Sequence, residues 1–151
     1  MKKFELTGEV KFHLGIKLYR IKALISFGNV EAGELGGFIE KEENLSQNGN
    51  AWVYGNAWVY GNAEVYGNAW VYGDALLKAK TDILTIGLIG SRNDTTTFFK
   101  TKDKKINVCC GCFRGTIDEF EKVVEKTHGG SFYEKQYKLA IELAKISIQN
   151  R

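Results

Sequence analysis

Three cysteines crowd into four residues near the end of the chain, where they would bring thiol chemistry or metal binding. Cys109, Cys110 and Cys112, together with His128, make up four ligands of the types that zinc prefers. On an extended strand, however, Cys110 and Cys112 share one face while Cys109 lies on the other, and His128 is a helix away along the chain. We therefore expect cysteines packed in a sheet, and we predict no metal, no cofactor and no catalytic residue.

The basic side chains of the same half favour a small anion as ligand. Arg92 lies in the segment Gly90-Ser91-Arg92-Asn93-Asp94, whose small and polar residues are typical of a loop. We predict four residues as candidate ligands of a small anion or a nucleotide: Arg92, Lys100, Arg114 and His128. No phosphate-binding loop or dinucleotide fingerprint accompanies them. A solvated loop arginine is the alternative interpretation of Arg92.

Composition and charge exclude several classes of protein. With 151 residues, 44% hydrophobic and 26% charged, the chain has the make-up of one ordinary folded domain. The formal net charge of +3 is too small for duplex nucleic acid to be an expected partner. No apolar run approaches the roughly 18 residues of a membrane span, and the charged residues Lys2, Lys3, Glu5 and Glu9 leave no signal-peptide core. We therefore expect a protein of the reducing cytoplasm.

A repeat of six residues precedes these side chains in the chain. Five copies run without a slip from Gly49 to Lys78, and their sequences are GNAWVY, GNAWVY, GNAEVY, GNAWVY and GDALLK. A period of six fits neither a helix nor a hairpin meander. It suits a short strand followed by a tight corner, for which Gly and Asn tolerate the left-handed backbone. The valine of each hexad is then predicted to be buried, at Val53, Val59, Val65 and Val71.

This pattern resembles that of the hexapeptide-repeat family, in which an aliphatic residue is followed four positions later by a small one. The pairs are Val53 and Ala57, Val59 and Ala63, Val65 and Ala69, and Val71 and Ala75. The resemblance implies a short left-handed parallel β-helix with three hexads per coil, which we place at residues 28–90. Many members of the family are trimeric acyltransferases with a histidine base. Here neither His13 nor His128 lies on the repeat, so a transferase is only an alternative.

Both ends of the chain are predicted to differ from the repeat. Residues 1–27 alternate loosely between apolar and polar types, which predicts an N-terminal β cap. Residues 91–151 predict a C-terminal αβ unit of strands followed by two helices. A capping box begins each helix, formed by Thr116 with Glu119 and by Ser131 with Glu134. The expected fold class is therefore mainly β, a left-handed parallel β-helix between these two ends.

The aromatic side chains of the repeat form the candidate interaction surface. These aromatic residues directly precede or follow the inward valine of each hexad, so their side chains should lie on the outside. If a coil holds three hexads, aromatic residues eighteen apart should stack on each other. The candidate interface residues are Trp52, Tyr54, Trp58, Trp70 and Tyr72. Because Trp and Tyr are favoured at the centres of interfaces, we expect a homotrimer closed through this face. The alternative is that the chain's own terminal segments cover it.

The chain as a whole resembles small hexapeptide-repeat proteins of phages and other mobile elements. The matching stretches are GELGGFIE at 33–40, the hexads, and GCFRGTIDEF at 111–120. The resemblance implies no particular activity. In that setting we expect a non-enzymatic, oligomeric binding or assembly module in the host cytoplasm, which antagonises a host defence by sequestering a nucleotide signal or by occluding a defence protein. The alternatives are a hexapeptide-repeat acyl- or nucleotidyl-type transferase and a structural component of a particle.

Overall fold

The alternating N-terminal segment forms a long antiparallel hairpin in the computed structural model of the chain, which describes residues 1–149. Its strands are β1 (Phe4–His13) and β2 (Ile16–Ala23), and β3 (Leu35–Ile39) pairs antiparallel with β2. β2 buries its apolar residues Leu18 and Ile21 while its lysines are exposed. Because Leu18 and Ile21 are three residues apart, they lie on opposite faces of the strand, so the buried face of β2 changes along its length.

The hexad repeat follows as four strands of only two residues each. They are β4 (Trp52–Val53), β5 (Trp58–Val59), β6 (Trp70–Val71) and β7 (Leu76–Leu77). The glycines that open the hexads have φ between 60° and 70°, a left-handed conformation that ends the extended backbone. β4 pairs with β6, and β5 with β7, in parallel and between residues eighteen apart, as predicted. The predicted burial of the hexad valines is confirmed, since all four are fully buried.

The predicted fold class, a mainly β chain built on a left-handed parallel β-helix, is wrong. The chain is mixed, with 41% strand and 24% helix, and its strands lie in three separate sheets of five, two and four strands. The five-stranded sheet has the order β1-β2-β3-β5-β7, and β4 and β6 form the two-stranded sheet. The physical reason is that two extended residues per hexad offer few ladder hydrogen bonds. The longer antiparallel strands before and after the repeat therefore dominate the pairing.

The chain divides into two compact units, one of residues 1–80 and one from Thr81 onward. The strands of the second unit are β8 (Ile83–Ile89), β9 (Asp94–Lys100), β10 (Ile106–Cys110) and β11 (Phe113–Thr116), which form an antiparallel meander. Its helices are α1 (Ile117–His128) and α2 (Phe132–Ala144), and α2 continues into a π-helical turn, Lys145–Gln149. Residues 83–89, which the spacing placed in the repeat, form the first strand of this meander.

The two helices begin in different ways. The Glu119 amide donates to the Thr116 hydroxyl (3.1 Å) and the Thr116 amide donates to the Glu119 carboxylate (2.9 Å), so the predicted capping box of α1 is confirmed. The box predicted for α2 is wrong, because the Ser131 hydroxyl donates to the His128 carbonyl (2.6 Å) instead of capping its own helix. The short turn between the helices brings that carbonyl within reach.

Both helices pack on one face of the four-stranded sheet. The buried cluster between them consists of Phe98, Ile106, Val108, Ile117, Phe120, Val124, Tyr137, Ala140, Ile141, Ala144 and Ile148. Neither helix is long or apolar enough to cross a membrane, and residues 1–149 contain no other helix that is.

Candidate functional site

Two turns and both helices meet at one end of the strands of the four-stranded sheet, which we call its edge here. In an antiparallel meander alternate turns lie at the same edge, so the β8–β9 turn at 90–93 lies near the β10–β11 turn at 111–112. The C-terminal half of α1 covers this edge, and α2 contributes Tyr137. The strand order therefore gathers polar residues that are distant in sequence.

These elements enclose a cavity of about 250 Å³. Phe120, Val124 and Tyr137 are its most buried walls, whereas the charged residues among its lining are exposed. The full lining comprises Ser91, Arg92, Asp94, Cys110, Gly111, Cys112, Phe113, Phe120, Val123, Val124, Thr127, His128 and Tyr137. An apolar, aromatic concavity with a few polar groups is the usual character of a small-molecule site.

Tyr137 is the most buried polar group of the cavity. Its oxygen accepts a hydrogen bond from the Cys110 thiol (3.7 Å), which in turn accepts one from the Thr96 hydroxyl (3.4 Å). Burial raises the pKa of the Tyr137 phenol above its ordinary value, and the adjacent Cys110 thiol raises it further. The phenol therefore keeps its proton at neutral pH and can donate a hydrogen bond to a ligand.

Arg92 supplies the positive charge. Its guanidinium packs over Gly111, where a Cβ atom would lie 3.2 Å from the Arg92 Nη1 atom. Within the described range 1–149, no carboxylate lies within 4 Å of this guanidinium. Asp94 also lines the cavity, and its carboxylate accepts a hydrogen bond from the Thr95 amide (2.7 Å). The guanidinium of Arg92 is thus open to an anionic group.

His128 forms a further wall, where α1 ends. Its imidazole stacks on Tyr137, with ring centroids 5.7 Å apart and 28° between the planes, and meets Tyr133 edge-on at 5.7 Å. Its carbonyl accepts hydrogen bonds from the amide (3.0 Å) and the hydroxyl of Ser131. These contacts fix the ring beside the cavity, so the cavity has an aromatic wall with polar nitrogen atoms.

The three cysteines have three different environments. Cys109 is buried outside the cavity lining, and burial raises the pKa of its thiol to about 11. Cys110 is half-buried beside Tyr137, and Cys112 is exposed in the β10–β11 turn. Cys110, Cys112 and His128 line the same cavity, but no three His, Cys, Asp or Glu side chains in the described part of the chain form a metal-binding group.

Two of the predicted anion ligands lie elsewhere. Lys100 forms a part-buried ion pair with Asp82 (3.9 Å) at the far end of β9, six residues or about 20 Å from the cavity end of that strand. Arg114 donates from one guanidinium nitrogen to the carbonyls of Gly111 (2.7 Å) and Phe113 (2.9 Å). It therefore braces the β10–β11 turn and is not a lining residue, which leaves Arg92 and His128 as the predicted ligands that share the cavity.

The candidate interface of the repeat is partly covered by the chain's own N-terminal segment. Trp52 is fully buried and packs edge-on against Phe4 (6.4 Å) and Phe27 (5.3 Å). Trp52 therefore offers no surface to a second chain. For this residue the alternative interpretation holds, in which the chain's own terminal segment covers the aromatic face. The half-buried remainder of the surface consists of Tyr54, Trp58, Trp70 and Tyr72. The homotrimer stays a prediction that rests on those four residues.

Sequence reasoning missed Tyr137 and Asp94 as members of a site. Tyr137 belongs to the row of apolar residues along one face of a predicted helix, and residues in such a row usually pack in the core. The signal that pointed here was the pair of glycine-containing turns around Gly90 and Gly111. Their proximity, however, depends on the strand order, and single-sequence patterns do not give that order.

Comparison with known protein families and with curated protein sequences finds no match to this chain. The resemblance to hexapeptide-repeat proteins therefore remains a prediction from the hexads, and the resemblance to proteins of phages and mobile elements remains a prediction from the hexads together with the stretches at 33–40 and 111–120. The geometry of the cavity is the basis for a functional proposal.

Proposed function

We propose that this protein is a non-enzymatic binding protein for a small organic anion with a planar ring, held in the cavity of the second unit. The observation that carries the proposal is the guanidinium of Arg92, which lines the cavity with no carboxylate of residues 1–149 within 4 Å. A guanidinium is the side chain best suited to bind carboxylate or phosphate through paired hydrogen bonds.

The apolar walls favour a ring as the rest of the ligand. Phe113 and Phe120 have ring centroids 5.2 Å apart and contribute aromatic surface, and Val123 and Val124 contribute aliphatic surface. A planar ring placed against such walls gains contact area with little loss of conformational freedom. The Tyr137 phenol is positioned to donate a hydrogen bond to an acceptor on the ring edge.

The size of the cavity limits the ligand. A volume of about 250 Å³ lies below the ~300–1,000 Å³ that is usual for small-molecule sites. It suits a nucleobase or an aromatic acid with its charged group at the exposed Arg92, and it is too small to enclose a whole dinucleotide. Sequestration of a nucleotide signal, which we expect from the resemblance to proteins of phages and mobile elements, would then proceed through one base and one phosphate.

Calorimetric titration tests the proposal with defined probes. The probes are AMP, GMP, CMP, UMP and benzoate, together with the four matching nucleosides, which lack the phosphate. At least one anionic probe should bind, and any nucleotide that binds should do so more tightly than its nucleoside. Arg92→Gln should reduce the affinity about tenfold or more, as expected for a lost charge-assisted hydrogen bond.

The matched control is Lys122→Gln, which removes one positive charge from an exposed position of α1 outside the cavity lining. It should leave the affinity unchanged. No binding of any probe, or equal losses in the two variants, would contradict the proposed site. Benzoate and the nucleotides distinguish a carboxylate ligand from a phosphate ligand.

A further inference from the structure

The outer face of α2 carries large apolar side chains in water. The exposed fractions are 68% for Phe132, 73% for Leu139, 47% for Leu143 and 62% for Ile146. They are spaced by seven, four and three residues, so they follow one side of a helix and of the turn that continues it. We call these four residues the α2 stripe.

The α2 stripe is distinct from the face of α2 that packs on the sheet. That inner face is formed by Tyr137, Ala140, Ile141 and Ala144, all of them buried. α2 therefore has two apolar faces, and only the inner face is covered within the described residues. Contiguous apolar surface of this kind marks an interaction site.

The charges beside the α2 stripe indicate which partner it fits. Lys135 and Glu142 are exposed on the same side of α2, and neither forms an ion pair with any group of residues 1–149. Lys138, by contrast, is held by Glu125 (3.0 Å) and Glu134 (3.9 Å) on the flank. The stripe thus presents one uncompensated positive and one uncompensated negative charge.

The ends of the stripe are symmetric about Leu139, because Phe132 and Ile146 each lie seven residues from it. When two copies of α2 pair in antiparallel fashion around a two-fold axis at Leu139, Phe132 of one copy opposes Ile146 of the other. Lys135 and Glu142 lie four residues before and three residues after Leu139. In the same arrangement Lys135 of one copy is therefore offset from Glu142 of the other by one residue, about 1.5 Å along the helix, so the surface is complementary to itself in charge.

We infer that the α2 stripe is the contact surface of an antiparallel homodimer, with Leu139 at its centre, and this homodimer is an alternative to the homotrimer predicted through the repeat. Few side chains per copy take part, so the interface is small and the dimer is in measurable equilibrium with the monomer. The contact is independent of ligand binding in the cavity, because no residue of the stripe lines that cavity.

Sedimentation velocity over a wide protein concentration range tests this inference. The wild-type protein should pass from monomer to dimer as concentration rises. Leu139→Glu should remain monomeric at every concentration, because it places two like charges together at the two-fold axis. The matched control is Leu88→Glu, at a leucine of the same unit that is 66% exposed but lies outside the stripe; it should dimerise like the wild type.

Charge reversal tests the antiparallel arrangement. Lys135→Glu alone, and Glu142→Lys alone, should each weaken the dimer, and the double variant should restore it, because the two charges then exchange places. Far-UV circular dichroism verifies that each variant is folded. A wild-type monomer at all concentrations, an oligomer that Leu139→Glu leaves intact, or a double variant as weak as the single ones would overturn the inference.

Discussion

The hydroxyl group of Tyr137 lies over the α-carbon of Gly90, in the space that a Cβ atom at residue 90 would fill. Gly90 also has φ of 81°, and its amide donates to the side chain of Gln136 (2.9 Å). The β8–β9 turn and α2 are thereby fixed to each other at the cavity. The position of the phenol depends on the absence of a side chain at residue 90.

Gly90→Ala should therefore destabilise the second unit by more than backbone strain alone. Gly130→Ala is the matched control, because Gly130 has φ of 80° and open space around its Cβ position. Left-handed backbone costs about 1–2 kcal/mol in either variant. Only Gly90→Ala must also displace Tyr137, so its free energy of unfolding should be clearly the lower of the two. Urea denaturation followed by ellipticity at 222 nm, which reports α1 and α2, makes the comparison; equal losses would contradict the close contact.

The cysteines should differ in their reaction with iodoacetamide. Cys112 is exposed, Cys110 is half-buried, and Cys109 is buried with the pKa of its thiol raised to about 11. Because the thiolate is the reactive form, Cys112 should be labelled first and Cys109 only after denaturation. Mass spectrometry of peptides from a time course at mildly alkaline pH measures the order. Early labelling of Cys109 in the native protein would contradict the burial of its thiol in β10.

Alkaline pH should stabilise the first unit. Burial lowers the pKa of Lys3 from 10.5 to about 8, where its ammonium donates to three backbone carbonyls, including that of Ala51 (2.8 Å). Between pH 8 and 10.5 the unfolded chain binds this proton and the folded chain does not, so the contribution of Lys3 to the free energy of unfolding rises with pH. Urea denaturation followed by tryptophan fluorescence reports this unit, since all three tryptophans lie in it. Lys3→Met should remove the rise, and a rise that persists in the variant would refute its assignment to Lys3.

The second unit should respond in the opposite direction. The thiol of Cys109 loses its proton near pH 9 when unfolded and near pH 11 when folded. Between these values the folded chain binds more protons, so the contribution of Cys109 to the free energy of unfolding falls as pH rises. Urea denaturation at several pH values, followed by ellipticity at 222 nm, measures this fall in the free energy of unfolding. Cys109→Ala should make the fall smaller. An unchanged slope in Cys109→Ala would exclude the thiol as its source.

Trp52 and Trp70 should differ in their effects on stability although they pair in adjacent strands. Trp52 is fully buried, and its replacement by Ala should cost about 3–5 kcal/mol. Trp70 is half-buried, donates from Nε1 to the Asn50 carbonyl (3.0 Å) and meets Tyr54 edge-on (5.6 Å), so Trp70→Ala should cost less. Urea denaturation followed by the fluorescence of the remaining tryptophans compares them. Equal losses of unfolding free energy in the two variants would contradict the difference in burial between Trp52 and Trp70.

The repeat shows which parts of the fold can be predicted from the sequence. The period of six gave the burial of Val53 and Val71, because burial follows from one repeated choice of backbone, and the resemblance to the hexapeptide-repeat family implied their pairing eighteen residues apart. The period did not give the sheets, since β1 and β2 are long strands whose pairing competes with that of two-residue strands. The choice of partners outside the repeat, such as β3 for β5, is a tertiary property, and the regular hexads carried no information about it.

The candidate site divides along the same line. Arg92 and His128 were identified from the sequence because they are basic side chains that can bind an anion, and both line the cavity. Lys100 and Arg114 have the same chemistry, but they are engaged by Asp82 and by backbone carbonyls, which only the three-dimensional arrangement reveals. Tyr137 was hidden because a tyrosine on an apolar stripe has the same pattern in a plain core and at the wall of a cavity.

The location of a bound ligand tests the central claim most directly. In protein with ¹³C-labelled valine methyl groups, the anionic probe that binds best in calorimetry should shift the resonances of Val123 and Val124, which line the cavity. The methyl groups of Val53 and Val71, buried in the first unit, should stay unchanged, and Arg92→Gln should suppress the shifts at equal probe concentration. Shifts confined to the first unit, or full shifts that persist in Arg92→Gln, would contradict a ligand cavity organised around Arg92.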